Sequence, residues 1–206
     1  MYLKKTVNIW LPILIILVLV GATFLNIHLS ERFASEDGFA TRYMAAKYWI
    51  KTGLSPYSQE TFEATLELLG EPSPRPDSLD KGRFIDPATY VLFYIPLSFL
   101  PYPVAKAIWM TIIELSIVLS VWLCLKIVRL DLSFIETFLM SLGALFFYPN
   151  LKMILTASIL PFYIFLLIWA IWLAMNKQGR MAGVLFFLAF PMLPISLFIA
   201  VFFMIW

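Results

Sequence analysis

Long apolar runs dominate this chain, separated by short basic breaks and by one long polar stretch. An α-helix rises about 1.5 Å per residue, so about 20 apolar residues cross the hydrocarbon core of a bilayer. Runs at 7–29, 104–125, 132–148, 153–175 and 181–206 approach or exceed that length. They predict five membrane-spanning helices. The first run lies between Lys4 and Lys5 on one side and Glu31 and Arg32 on the other. It is longer than a signal-peptide core and no small-x-small cleavage site follows, so we expect a retained anchor. Pro161 falls inside the fourth run, and the fifth is still apolar at Trp206, an ending expected of a truncated chain.

The polar stretch covers 30–86 and holds 10 acidic and 7 basic residues, most of the charge in the protein. Pro72, Pro74 and Pro76 make its middle irregular. Two parts of it are expected to be helical. From Gly38 to Thr52 an apolar stripe recurs at Phe39, Tyr43, Ala46 and Ile50, the spacing of one helix face. Gly53 follows, where a left-handed cap is cheapest. Thr61–Leu69 is expected to form a second helix closed by Gly70. Residues 89–100 are apolar but too few to span, which predicts a re-entrant or interfacial segment before the breakers Pro101 and Pro103.

Composition agrees with this pattern. Hydrophobic residues make up 62% of the 206 and charged residues 14%, against about 25% charged in an ordinary soluble domain. The expectation is a single all-α membrane domain over 1–206. With five spans, Lys4, Lys5, Lys126, Arg129, Lys177 and Arg180 all fall on one side, which the positive-inside rule makes cytoplasmic. The N-terminus is then cytoplasmic, and the 30–86 loop faces out of a multi-pass protein of the cell membrane. A net charge of +2 gives no argument for nucleic acid as a partner. The single cysteine, Cys124, and single histidine, His28, leave no ligand set for zinc. No nucleotide-binding glycine motif is present, and no cofactor is expected.

Several polar side chains carry candidate chemistry. Asp37, at the start of the first loop helix, reads either as a general base at the membrane surface or as a helix N-cap. Arg42, Lys47, Arg83 and Lys152 are expected outside. They are suited either to a lipid-linked phosphate or to solvation of the loop and contact with headgroups. Glu114, mid-way along the second run, costs about 2.5–3.5 kcal/mol to insert as a charge. It reads equally as a functional carboxyl or as a neutral acid bonded to a neighbouring helix. Lys106 is expected to snorkel to the outer interface.

The order of these pieces resembles a known family. The loop runs Asp37-Gly-Phe-Ala-Thr-Arg42-Tyr43-Met-Ala-Ala, then Gly53-Leu-Ser-Pro56-Tyr57. Leu69-Gly70-Glu-Pro72, Asp80-x-x-Arg83-Phe84-x-x-Pro87-x-x-Tyr90 and Pro96-Leu97-x-x-Leu100-Pro101 follow, ahead of Ala105 and Trp109. From about residue 30 to 110 this is similar to GT-C glycosyltransferases, and among them to glycosyltransferase family 87 (DUF2029-type). The resemblance implies a hexosyltransferase that moves a sugar, such as mannose, from a polyprenyl-phosphate donor to an extracytoplasmic acceptor. It implies Asp37 as the base of an inverting displacement and cationic side chains (Arg42, Arg83, Lys152) at the donor phosphate.

The chain also departs from the family. A Gly-Gln pair expected near Thr156-Ala157-Ser158 is missing, Leu193 stands before Pro194 where lysine is usual, and Asp86-Pro87 replaces a Tyr-Pro pair. Relatives are longer, so the resemblance implies the N-terminal half of the fold. Two other readings stay open. One is a non-catalytic relative or a partner subunit, with other helices supplied in trans. The other is a small transporter built around Glu114.

Overall fold

The computed structural model describes residues 10–32, 38–70 and 83–189. Among the described residues all regular structure is helical. The helices are α1 (Trp10–Arg32), α2 (Gly38–Thr52), α3 (Gln59–Leu69), α4 (Val91–Tyr94), α5 (Tyr102–Ile127), α6 (Phe134–Phe146), α7 (Tyr148–Leu155), α8 (Leu160–Met175) and α9 (Gly179–Ala189). Single 3₁₀ turns, Ala88–Tyr90 and Pro96–Phe99, flank α4. Residues 190–206 of the expected fifth run, and the Pro72–Pro76 segment, lie outside the described residues.

Local chemistry explains the boundaries. α2 forms over the range its stripe predicts, and Gly53 closes it at φ 72°. Phe39, Tyr43 and Ala46 are buried as that stripe requires, while Ile50 is exposed. α3 starts two residues before the expected Thr61, because the Ser58 hydroxyl accepts from Thr61 N and caps the first turn. Gly70 ends it at φ 67°, its N–H on the last carbonyls. Ser133 and Glu136 cap α6 reciprocally: each backbone N–H donates to the other's side chain.

Two expected runs are not single helices. The 132–148 run ends at Phe146, and α7 leaves it at 64°. Pro149 occupies the first turn of α7, where its missing N–H has no helical partner to lose. The 153–175 run breaks at 156–159, so Pro161 sits in the first turn of α8 and not inside a helix. Ala157 at this break takes φ 48°. The 89–100 segment is three short turns, divided by Pro96. By length and composition, Tyr102–Ile127 is the one unbroken helix among the described residues able to cross a membrane; α6 with α7 would make a second only as a bent pair.

α5 is the axis of the packing. α1 runs antiparallel to it, with Ser30 beside Lys106 and Thr23 beside Thr111. α8 runs parallel to it: Trp109 lies tilted against Phe162 at 5.5 Å and donates from Nε1 to the Ala157 carbonyl at 3.2 Å. α8 and α9 form an antiparallel hairpin. One end of the bundle therefore collects α2, α3, the short turns and the starts of α5 and α8. The opposite end carries the connections at 128–133 and 176–178, with Lys126, Arg129, Lys177 and Arg180 exposed.

Lys106 corrects one expectation. It does not snorkel outward but is fully buried, with Nζ 3.4 Å from the Ser30 carbonyl. Ser30 lies in the last turn of α1, where carbonyls lack intrahelical donors and the helix end is negative, so an ammonium is well placed there.

Candidate functional site

The polar layer is organised around Arg42. One turn into α2, its Nε donates to Asp86 Oδ2 at 2.6 Å and its Nη1 to the Gly38 carbonyl at 3.0 Å. Both side chains of this ion pair are mostly buried, 15% and 19% exposed. Gly38 eases the approach, since a Cβ there would lie 3.2 Å from Nη1 and push the guanidinium back slightly. Burial alone would lower the proton affinity of the guanidinium. Tyr94 beside it and the Asp86 carboxylate outweigh that effect and hold Arg42 above its ordinary, already basic value.

Aromatic rings close around this pair. Phe39 packs 5.5 Å from Tyr94, which packs 4.7 Å from Trp109. Tyr90 and Tyr163 lie ring to ring at 4.8 Å. The buried Tyr163 hydroxyl lies beside that of Tyr90 without a well-formed hydrogen bond, and burial pushes the Tyr90 hydroxyl up. Tyr43 donates from its hydroxyl to the Leu100 carbonyl at 2.7 Å, which pins α2 onto the short turns. Lys47 lies 5.2 Å from the centre of the Tyr43 ring. The result is a cation fixed at an aromatic boundary, whose remaining guanidinium N–H groups have no acceptor among the described residues.

The other expected residues fall in different places. Asp37 lies outside the described residues; it directly precedes Gly38, whose carbonyl Arg42 holds. Arg83 is exposed, its guanidinium carbon 5.3 Å from the centre of the Phe62 ring. It borders a cavity of about 390 Å³ with Tyr57 and Phe84. Asp86 joins this cavity to Arg42: its carboxylate takes Arg42, and its backbone carbonyl accepts from the Tyr57 hydroxyl at 2.7 Å. Lys152 is exposed on α7, which packs against α5, α6 and α8. Among the described residues no bond brings Lys152 to Arg42 or Arg83.

Glu114 belongs to a separate seam between α1 and α5. Asn26 Nδ2 donates to Glu114 Oε1 and to Thr111 Oγ1, each at 3.1 Å, and Thr23 Oγ1 meets Thr111 Oγ1 at 3.0 Å. The contacts match the reading of Glu114 as a carboxyl bonded to a neighbouring helix. Asp86 is the site residue that sequence reasoning missed. The signal was that Asp86 stands where the pattern the chain resembles has a tyrosine, which marked a departure but named no partner.

A second cavity of about 480 Å³, lined by Ile117, Val121, Cys124, Met140, Met153 and Ile164, opens between α5, α6, α7 and α8. Among the described residues no three His, Cys, Asp or Glu side chains group as metal ligands. No family model, no curated protein and no solved structure matches the chain.

Proposed function

We propose that this chain is a multi-pass membrane protein, similar to GT-C glycosyltransferases, that transfers a hexose from a polyprenyl-phosphate donor to an extracytoplasmic acceptor, alone or as the N-terminal portion of the enzyme. The observation that carries the reading is Arg42: a guanidinium fixed by Asp86 and Gly38 at an aromatic boundary, five residues after Asp37. In the proposed reaction Asp37 takes the proton of the acceptor hydroxyl. The acceptor oxygen bonds to the anomeric carbon as the bond from that carbon to the phosphate oxygen breaks. Arg42 offsets the charge left on the polyprenyl phosphate.

The charge layout supports the orientation. Exposed Lys126, Arg129, Lys177 and Arg180 gather at the end of the bundle opposite α2 and α3, as a cytoplasmic face would require. Large exposed apolar residues on α1 and α6, among them Leu17, Phe24, Phe134 and Phe138, fit contact with lipid tails.

The test uses membranes containing the protein and a polyprenyl-phosphate hexose. Asp37→Ala should lower transfer at least about 100-fold, the contribution of a positioned base, with expression unchanged. Full transfer by that variant would remove Asp37 from the mechanism. Labelling of a cysteine placed at 37, in a Cys124→Ser background, should occur from outside; labelling only from the cytosol would overturn the orientation and the transferase reading together.

A further inference from the structure

The cavity beside Arg83 is lined by neither Arg42 nor Asp86, and its walls define a ligand class. Its floor is aromatic: Phe62 and Phe84 are almost fully buried, while Tyr57 stands half-exposed at the rim. Tyr57 is held on both sides. Its hydroxyl donates to the Asp86 carbonyl at 2.7 Å and its ring lies 5.3 Å from that of Phe84. An exposed ring fixed in this way offers a flat apolar face of constant orientation.

The polar groups around it are donors and acceptors without a matching ion. Arg83, over Phe62, has no ion pair or hydrogen bond among the described residues. Gln59 spends its amide N–H on Glu63 at 3.1 Å, which leaves its oxygen facing no described partner. Among the residues that line the cavity, Arg83 is the one charged group. A lone exposed guanidinium, screened by solvent, is a weak hold for a phosphate. A neutral polyhydroxylated ring fits better. Its C–H face covers Tyr57, and its hydroxyls accept from Arg83 and donate to Gln59.

We propose that the cavity formed by Tyr57, Gln59, Phe62, Arg83 and Phe84 binds a neutral pyranose, as the acceptor subsite of the transferase. The subsite role rests on the transferase reading; the binding itself does not. A volume of about 390 Å³ suits one or two sugar rings, within the range of small-ligand pockets. The connection through Asp86 places this site one residue from the guanidinium assigned to the donor phosphate.

The test is saturation-transfer NMR on the full chain in detergent micelles, with methyl α-pyranosides of glucose, mannose and galactose, and inorganic phosphate as competitor. At least one pyranoside should bind saturably. Tyr57→Ala and Arg83→Gln should each weaken it about tenfold or more, and phosphate should not compete. Absence of binding by all three sugars to a folded chain overturns the proposal, as does binding that both cavity variants retain or that phosphate displaces. The milder Tyr57→Phe variant guards against misfolding: it keeps the ring and should keep most of the binding. Sugar binding without transfer from a lipid donor would refute the transferase reading and leave the cavity assignment standing.

Discussion

Arg42 and Arg83 lie in the same polar layer, on either side of Asp86, and their surroundings differ. Arg42 is mostly buried, ion-paired and flanked by tyrosines, whereas Arg83 rests on one ring at the rim of an open cavity. Both looked equivalent as loop cations. The difference comes from what each must satisfy. A buried guanidinium demands an anion and hydrogen bonds, so Arg42 is a fixed part of the fold. An exposed one demands nothing, so Arg83 stays available for a ligand.

The most direct way to break this contrast is to remove the anion. Asp86→Ala should destabilise the chain by about 3 kcal/mol, because it strands a mostly buried charge, read as a lowered midpoint of thermal unfolding in detergent. Arg83→Ala should change the same midpoint by less than about 0.5 kcal/mol, as expected for an exposed side chain. Equal losses from both variants would erase the distinction.

A double-mutant cycle with Arg42→Met and Asp86→Leu sharpens it. The coupling should be about 1–3 kcal/mol, the size found for residues in one network. The Arg83 and Asp86 pair should show almost none.

The pH dependence has a definite sign. The folded-state pKa of Arg42 is raised above its ordinary value, so its contribution to stability is complete below that value and is lost only as the pH rises through the higher folded one. The Arg42 share should therefore stay flat between about pH 5 and 9, since arginine keeps its charge over that range. A coupling energy to Asp86 that falls between about pH 7 and 9 would contradict this. Gly38→Ala should have the smallest effect. The new Cβ at 3.2 Å moves the Arg42 guanidinium by a few tenths of an ångström, against a helix-propensity gain below about 1 kcal/mol. Net stability should change little, and transfer should fall modestly while sugar binding at Tyr57 stays unchanged.

The parts of the molecule legible in the sequence were those governed by local rules. The stripe of α2 and the glycines at 53 and 70 fixed those helix ends, because a left-handed residue after a periodic run is a strong stop. Hydrophobicity alone was a weaker guide. It ran straight through Phe147 and Ala157, where the chain bends, since apolar side chains continue across both breaks. Pro149 and Pro161 were visible, but a proline marks a helix start as readily as a kink, and only the backbone decides which.

The candidate site was legible one residue at a time and not as an arrangement. Arg42 could be singled out as a cation, but its partner lies 44 positions away. Lys106 was misjudged for the same reason: burial depended on where α1 ends, which the sequence of α5 does not contain. Arg83 and Lys152 shared a charge and an expected side with Arg42, yet among the described residues neither is bonded to it. Asp37, the residue assigned as base, lies outside the described residues, so chemistry and labelling at that position are its test.

Asp86 faces two ways, its side chain grasping Arg42 while its main chain holds Tyr57. A sugar pressing on the Tyr57 ring would pull on that peptide, and the pull would reach the guanidinium across a single residue. In the proposed reaction, acceptor arrival would then be felt mechanically where the leaving group departs, with no distant relay needed to synchronise the two.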